Sequence, residues 1–235
     1  MTTRRPNTSW LALGAVCALC IAIPAFAQSR SRPAPDVLVL GSSSVFGPLG
    51  VAIEESLEGE GLRVRRQGQR STGFARPDFF DWQQEISTLT NLESLRGVVV
   101  VMGGNDTHAL RLTRDESPDR GPASWVQWRD EARWRTIYSA RVHTFVDTLC
   151  TAGSRRVVVI IPSDGERPGW ADRIRRVQEA QIEGVRGTRC GVVLDPRTDR
   201  PVRPGDTLDG VHLSTRGARE ALSRIGSALI AAMGG

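Results

Sequence analysis

Three uninterrupted apolar runs, Val37-Leu38-Val39-Leu40, Val98 to Met102 and Val157 to Ile161, constrain this chain more than any other feature. Each is short for a helix and has no polar residue to turn toward water, so each reads as a strand covered on both faces. Strands of that kind belong to parallel sheets with helices packed on either side. Between them the apolar period changes. Leu49, Ile53 and Leu57 recur every four residues, while Phe79, Trp82, Ile86 and Leu89, and then Tyr138, Val142, Phe145 and Leu149, step by three and four. Those are helical faces. Leu62 and Val64 alternate as a weaker strand, Val192 to Leu194 supplies a fifth, a weaker helix spans roughly 170 to 183, and Ala218, Leu222, Ile225 and Leu229 define a closing helix. The expectation is one domain over 36–235, a doubly wound α/β sandwich with about five parallel strands.

The chain begins with Arg4-Arg5, an apolar stretch from Leu11 to Ile23, and Ala25-Phe26-Ala27. These are the basic region, apolar core and small-x-small site of a secretory signal, with cleavage expected after Ala27. The stretch is short against the roughly 20 residues of a spanning helix, so no stable membrane insertion is expected once it is removed. Cys17 and Cys20 lack the small residue that precedes a lipidated cysteine. A polar, proline-bearing linker follows over 28–35. An exported chain, periplasmic or secreted, is implied.

Loss of Arg4 and Arg5 lowers the formal charge from +5 to +3, and every basic residue is arginine with no dense run, so nucleic acid is not implied as a partner. Cys150 and Cys190 then remain. An even pair in an oxidising compartment fits one disulfide, the alternative being two buried thiols. The segment Asp115 to Pro122 reads as a surface insertion near the strand ends, where open α/β sheets place ligands.

Polar residues follow the strand signals at that same edge. The first strand runs into Gly41-Ser42-Ser43-Ser44, placing a hydroxyl on the turn into a helix. Further on come Ser71-Thr72-Gly73-Phe74 and Gly103-Gly104-Asn105-Asp106, each able to offer an N–H donor, and Asp209-Gly210-Val211-His212 before the closing helix, with Ser214 and Thr215 as caps. A carboxylate three residues before a histidine can fold back onto one ring nitrogen while the other faces a hydroxyl. Taken singly, each of these segments is what a tight turn contains.

In this order the segments resemble the SGNH hydrolase superfamily, whose blocks are Gly-Asp-Ser, a glycine, Gly-x-Asn-Asp and Asp-x-x-His. The resemblance runs from Val37 to about Ala232. It is closest to an exported bacterial branch catalogued as a domain of unknown function, through residues 73–82 and 209–214. It implies a three-layer, flavodoxin-like α/β/α sandwich. It also implies Ser43 as nucleophile, Asp209 and His212 completing a triad, and an oxyanion hole formed by Ser43, Gly73 and Asn105. Ser42 stands where the family carries aspartate, which leaves Ser42 and Ser44 as rival nucleophiles. No cofactor is implied, and His108, His143 and His212 are too scattered to suggest a metal site. His108, Trp125 and Trp128, with Trp170 beside them, are candidates for touching substrate, against the plainer role of loop or core residues.

The function expected is an exported esterase acting on an acylated carbohydrate or small ester, acetyl foremost, through an acyl-enzyme. An O-acyltransferase would use the same triad, and a non-catalytic glycan-binding homologue is the third reading.

Overall fold

The structure is a computed structural model and describes residues 34–117, 124–197 and 202–234. The expected signal sequence, most of the expected linker and residues 118–122 of the expected insertion lie outside the described residues.

Five parallel strands form the central sheet: β1 (Val37–Gly41), β2 (Val64–Gly68), β3 (Gly97–Val101), β6 (Val157–Ile160) and β7 (Gly191–Leu194). Their order is β2-β1-β3-β6-β7, the flavodoxin-like arrangement. β1 and β3 pair in register from Val37↔Gly97 to Gly41↔Val101. Strand residues alternate between two cores, and this is why the runs carry no polar side. Leu38, Leu40, Val98, Val100, Val157 and Val159 face one core, while Val37, Val39, Val99, Val101, Val158 and Ile160 face the other. The first core is closed by α3 (Trp82–Ser87), α4 (Glu131–Thr151) and α5 (Trp170–Val185), the second by α2 (Pro48–Glu58) and α6 (Thr215–Gly234).

Local chemistry sets the boundaries. Asp81 caps α3 by accepting from the Gln83 and Gln84 N–H groups, so the helix starts after Phe79, which the apolar spacing places on its face and which is instead 59% exposed. β2 reads Val-Arg-Arg-Gln-Gly and begins at Val64, leaving Leu62 ahead of it; an edge strand has one neighbour and needs no apolar run. A small hairpin of β4 (Leu110–Arg111) and β5 (Trp125–Val126) flanks the segment expected as a surface insertion.

Cys150 near the end of α4 and Cys190 just before β7 are bonded to each other, with Cα atoms 5.7 Å apart. The bridge lies at the N-terminal end of the strands and closes a separation of 40 residues. In the chain-entropy account such a loop stabilises by roughly 4 kcal/mol. Reduction is therefore expected to lower the denaturant midpoint by a corresponding amount. A midpoint that reductant leaves unmoved would show that the bridge contributes nothing.

Among the described residues no helix is long and apolar enough to cross a membrane.

Candidate active site

β1 delivers the chain to the C-terminal edge of the sheet, where Ser42 precedes a single helical turn, α1 (Ser43–Phe46). Ser42 N–H donates to the Val101 carbonyl at 3.2 Å, and buried Val45 anchors the turn from below. Arg66 on β2 donates to the Val45 carbonyl at 2.8 Å and pairs with Glu54. Ser42 is only 2% exposed and makes no capping bond, so backbone and Arg66 contacts hold this turn where the family pattern would use aspartate. Ser43 Oγ lies 2.7 Å from His212 Nε2.

The histidine loop folds back on itself. Asp209 Oδ2 lies 2.8 Å from His212 Nδ1, while Asp209 Oδ1 accepts from the backbone N–H of Val211 and of His212, at 3.0 and 2.8 Å. Gly210 permits the reversal with φ +87°. Desolvation pushes the Asp209 carboxyl up, but the two backbone donors and the imidazole outweigh it and bring it to about 2. Ser214 then caps α6 by accepting from Gly217 N–H.

A residue that sequence reasoning missed fixes this loop from outside. Glu166, in the turn between β6 and α5, accepts from Thr207 N–H at 2.6 Å, Thr207 Oγ1 at 2.7 Å and Gly205 N–H at 3.2 Å. These donors hold its carboxyl below the usual range. Arg167 N–H donates to the Gly210 carbonyl beside them. The only hint in the sequence is position, since Glu166 follows a buried strand at the edge where the other site segments gather.

Ser43, His212 and Asn105 line one cavity of about 60 Å³, with Leu49, Ile161 and Trp170 among its apolar walls. Asn105 Nδ2 donates to the Thr72 carbonyl at 2.9 Å, which spends one of its two amide hydrogens. Gly73 does not line this cavity; it follows Thr72 on a loop packed against Asp106 and borders a neighbouring hollow of about 440 Å³.

His108, Trp125 and Trp128 do not line the cavity at Ser43 either. His108 Nδ1–H donates to the Ala109 carbonyl, and its own carbonyl accepts from Trp134 Nε1. Trp128 packs edge-on against Trp134 beneath the guanidinium of Arg176. Trp125 is 39% exposed, with Arg76 and Arg111 over its ring. Trp170 is the tryptophan at the cavity, and its buried Nε1 has no hydrogen-bond partner. Among the described residues no cluster of three or more His, Cys, Asp or Glu is arranged to hold a metal ion.

Residues 36–197 match the family described as "Protein of unknown function (DUF459)". The chain belongs to the DUF459 family. No curated protein matches it. Among solved structures it is similar to a putative SGNH hydrolase from Slackia heliotrinireducens, with TM-score 0.53 and 19% identity over 81% of this chain and 96% of that one. It is also similar to a variant of an acetyl xylan esterase from Geobacillus stearothermophilus, with TM-score 0.56 and 13% identity over 83% and 94%. A third is LAE5, an alpha/beta hydrolase from the metagenome of Lake Arreo, Spain, with TM-score 0.56 and 14% identity over 85% and 95%. This DUF459 chain has the SGNH hydrolase fold.

Proposed function

We propose that the chain is an exported serine ester hydrolase that removes short acyl groups, acetyl foremost, from an envelope or extracellular glycan or a small ester. The observation that carries this reading is the hydrogen-bonded line from Asp209 through His212 to Ser43 Oγ, opening onto a small cavity that also holds Asn105. Ser43 Oγ attacks the ester carbonyl as His212 Nε2 takes its proton, and Asp209 stabilises the imidazolium that forms. The Ser43 N–H and the second amide hydrogen of Asn105, both on residues that line the cavity, receive the oxyanion, and the Gly73 N–H on the adjoining loop is the third donor that the family resemblance implies. His212 then protonates the departing alcohol, and water activated by the same nitrogen releases the acid from Ser43.

The small size of the cavity at Ser43, about 60 Å³, supports a short acyl group. The likeness to an acetyl xylan esterase supports an acylated carbohydrate as substrate. Residues 1–27 and the Cys150–Cys190 bridge support export, because disulfides persist in oxidising compartments.

The test uses protein recovered outside the cytoplasm of a bacterial host, with its intact mass starting at Gln28. Given acetylated polysaccharides and small esters, it is expected to release free acetate. Acylated sugar in place of free acid would make it a transferase, and no turnover of any ester by folded protein would sink the reading.

A further inference from the structure

Asp106 is 1% exposed, lies beside the candidate oxyanion donors, and touches neither Ser43 nor His212. Its carboxylate reaches across from the loop after β3 to the loop after β2. Oδ1 accepts from Ala75 N–H at 2.9 Å, and Oδ2 accepts from Phe74 N–H at 3.1 Å and from the Tyr138 hydroxyl at 2.7 Å. Both oxygens lie where a side chain on residue 73 would be: a Cβ there would sit 2.2 Å from Oδ1 and 2.4 Å from Oδ2. Glycine is therefore required at 73 by the carboxylate beneath it. In the opposite direction, Asn105 Nδ2 donates to the Thr72 carbonyl. The two loops are thus tied by reciprocal bonds through consecutive residues, Asn105 and Asp106 on one side and Thr72 to Ala75 on the other.

The far side of the clamp is buried and closely packed. Tyr138 stacks flat on Trp134, with ring centroids 4.6 Å apart, and its hydroxyl accepts from Gln181 Nε2 at 3.3 Å. Gln181 is fully buried and also donates to the Met102 carbonyl at the end of β3. The carboxylate is thereby referenced to α4, α5 and the central sheet at once.

We propose that Asp106 is the positioning residue of the oxyanion site, setting the Gly73 N–H and the Asn105 amide at a fixed spacing. This rests on the reading of Ser43 as nucleophile given above. Donors act on an oxyanion only if they are in place before charge develops, and displacement by about 1 Å can cost a hundredfold in rate. An ionised carboxylate can accept from all three donors at once. An amide cannot, because one of its two heavy atoms becomes a donor facing another donor.

Asp106→Asn is expected to lower kcat on 4-nitrophenyl acetate by about 100-fold while KM stays within about twofold, because the ground state uses the oxyanion donors little. The diagnostic readout is a double-variant cycle with Asn105→Ala. If Asp106 acts through the oxyanion donors, Asp106→Asn in the Asn105→Ala background should cost no more than about 10-fold, since residues acting as a unit are not additive. Equal fold-losses in both backgrounds, a loss expressed in KM, or wild-type kcat would each overturn the proposal. Should Asp106→Asn fail to fold, the same cycle is read with Tyr138→Phe, which removes one of the three donors and is expected to cost about 3- to 10-fold in kcat alone, again less beside Asn105→Ala. Equal cost in both backgrounds overturns it there too. Ser43→Ala separates the two claims. An inactive Ser43→Ala beside a fully active Asp106→Asn rejects only the positioning role, whereas an active Ser43→Ala rejects the functional reading itself.

Discussion

Ser43→Ala is expected to abolish covalent labelling by an organophosphonate and to reduce ester turnover by on the order of 10⁴- to 10⁶-fold, because on the proposed mechanism it removes the atom that forms the acyl-enzyme. The geometry makes the expectation specific to one of three adjacent serines. Ser43 Oγ is 2.7 Å from His212 Nε2. Ser42 is almost wholly buried and has no such contact, and Ser44 lines the cavity without one. Ser42→Ala and Ser44→Ala are accordingly expected to keep labelling by mass spectrometry, with turnover within about tenfold of wild type, as befits supporting positions in the turn. Labelling that moves to Ser42 or Ser44, or survives in Ser43→Ala, would show that the nucleophile is misassigned. Loss of labelling in all three variants with intact folding would point instead to a turn that tolerates no change.

The three central strands were legible because burial on both faces strips a strand of polar residues, and β1, β3 and β6 lie where the apolar runs of 37–40, 98–102 and 157–161 indicate. Their C-terminal ends then narrowed the search for chemistry to a few short segments. β2 was barely legible, since Arg65, Arg66 and Gln67 satisfy an edge strand that follows β1 through its backbone and not through an apolar face. The β4–β5 hairpin, with two residues per strand, is too short to show a period. At the site, the spacing of Asp209 and His212 announces a local contact that any reader of sequence can weigh. The choice among Ser42, Ser43 and Ser44 depends on which hydroxyl the helical turn rotates toward the imidazole, and neighbouring serines have identical local signals. Long-range ties leave less trace still. Glu166 reaches Thr207 across 41 residues, and Asp106 meets the 73–75 loop from about 30 residues away. The aromatic candidates failed to reach the cavity for a related reason: Trp128 and Trp134 satisfy each other and nearby arginines within the first core, and Trp170 alone is carried to the cavity by the start of α5.

Asp209→Asn is expected to fold and yet lose about 10⁴-fold in kcat, a cost out of proportion to the exchange of one oxygen for an amide nitrogen. Two backbone N–H groups, from Val211 and His212, converge on Oδ1, so an asparagine at 209 must turn its carbonyl oxygen toward them and its Nδ2 toward the imidazole. That amide donates where the carboxylate accepted. His212 Nδ1 must then carry the lone pair, which places the ring proton on Nε2, facing Ser43 Oγ, and leaves no base where one is needed. His212→Ala removes the base outright and is expected to be about as severe as Ser43→Ala. Asp209, held at about 2, stays ionised throughout the range in which the protein is assayed, so its negative charge stands beside the ring at every assay pH. An Asp209→Asn variant with near wild-type kcat would mean that Asp209 does not orient His212, and the 2.8 Å contact between them would be a structural bond only.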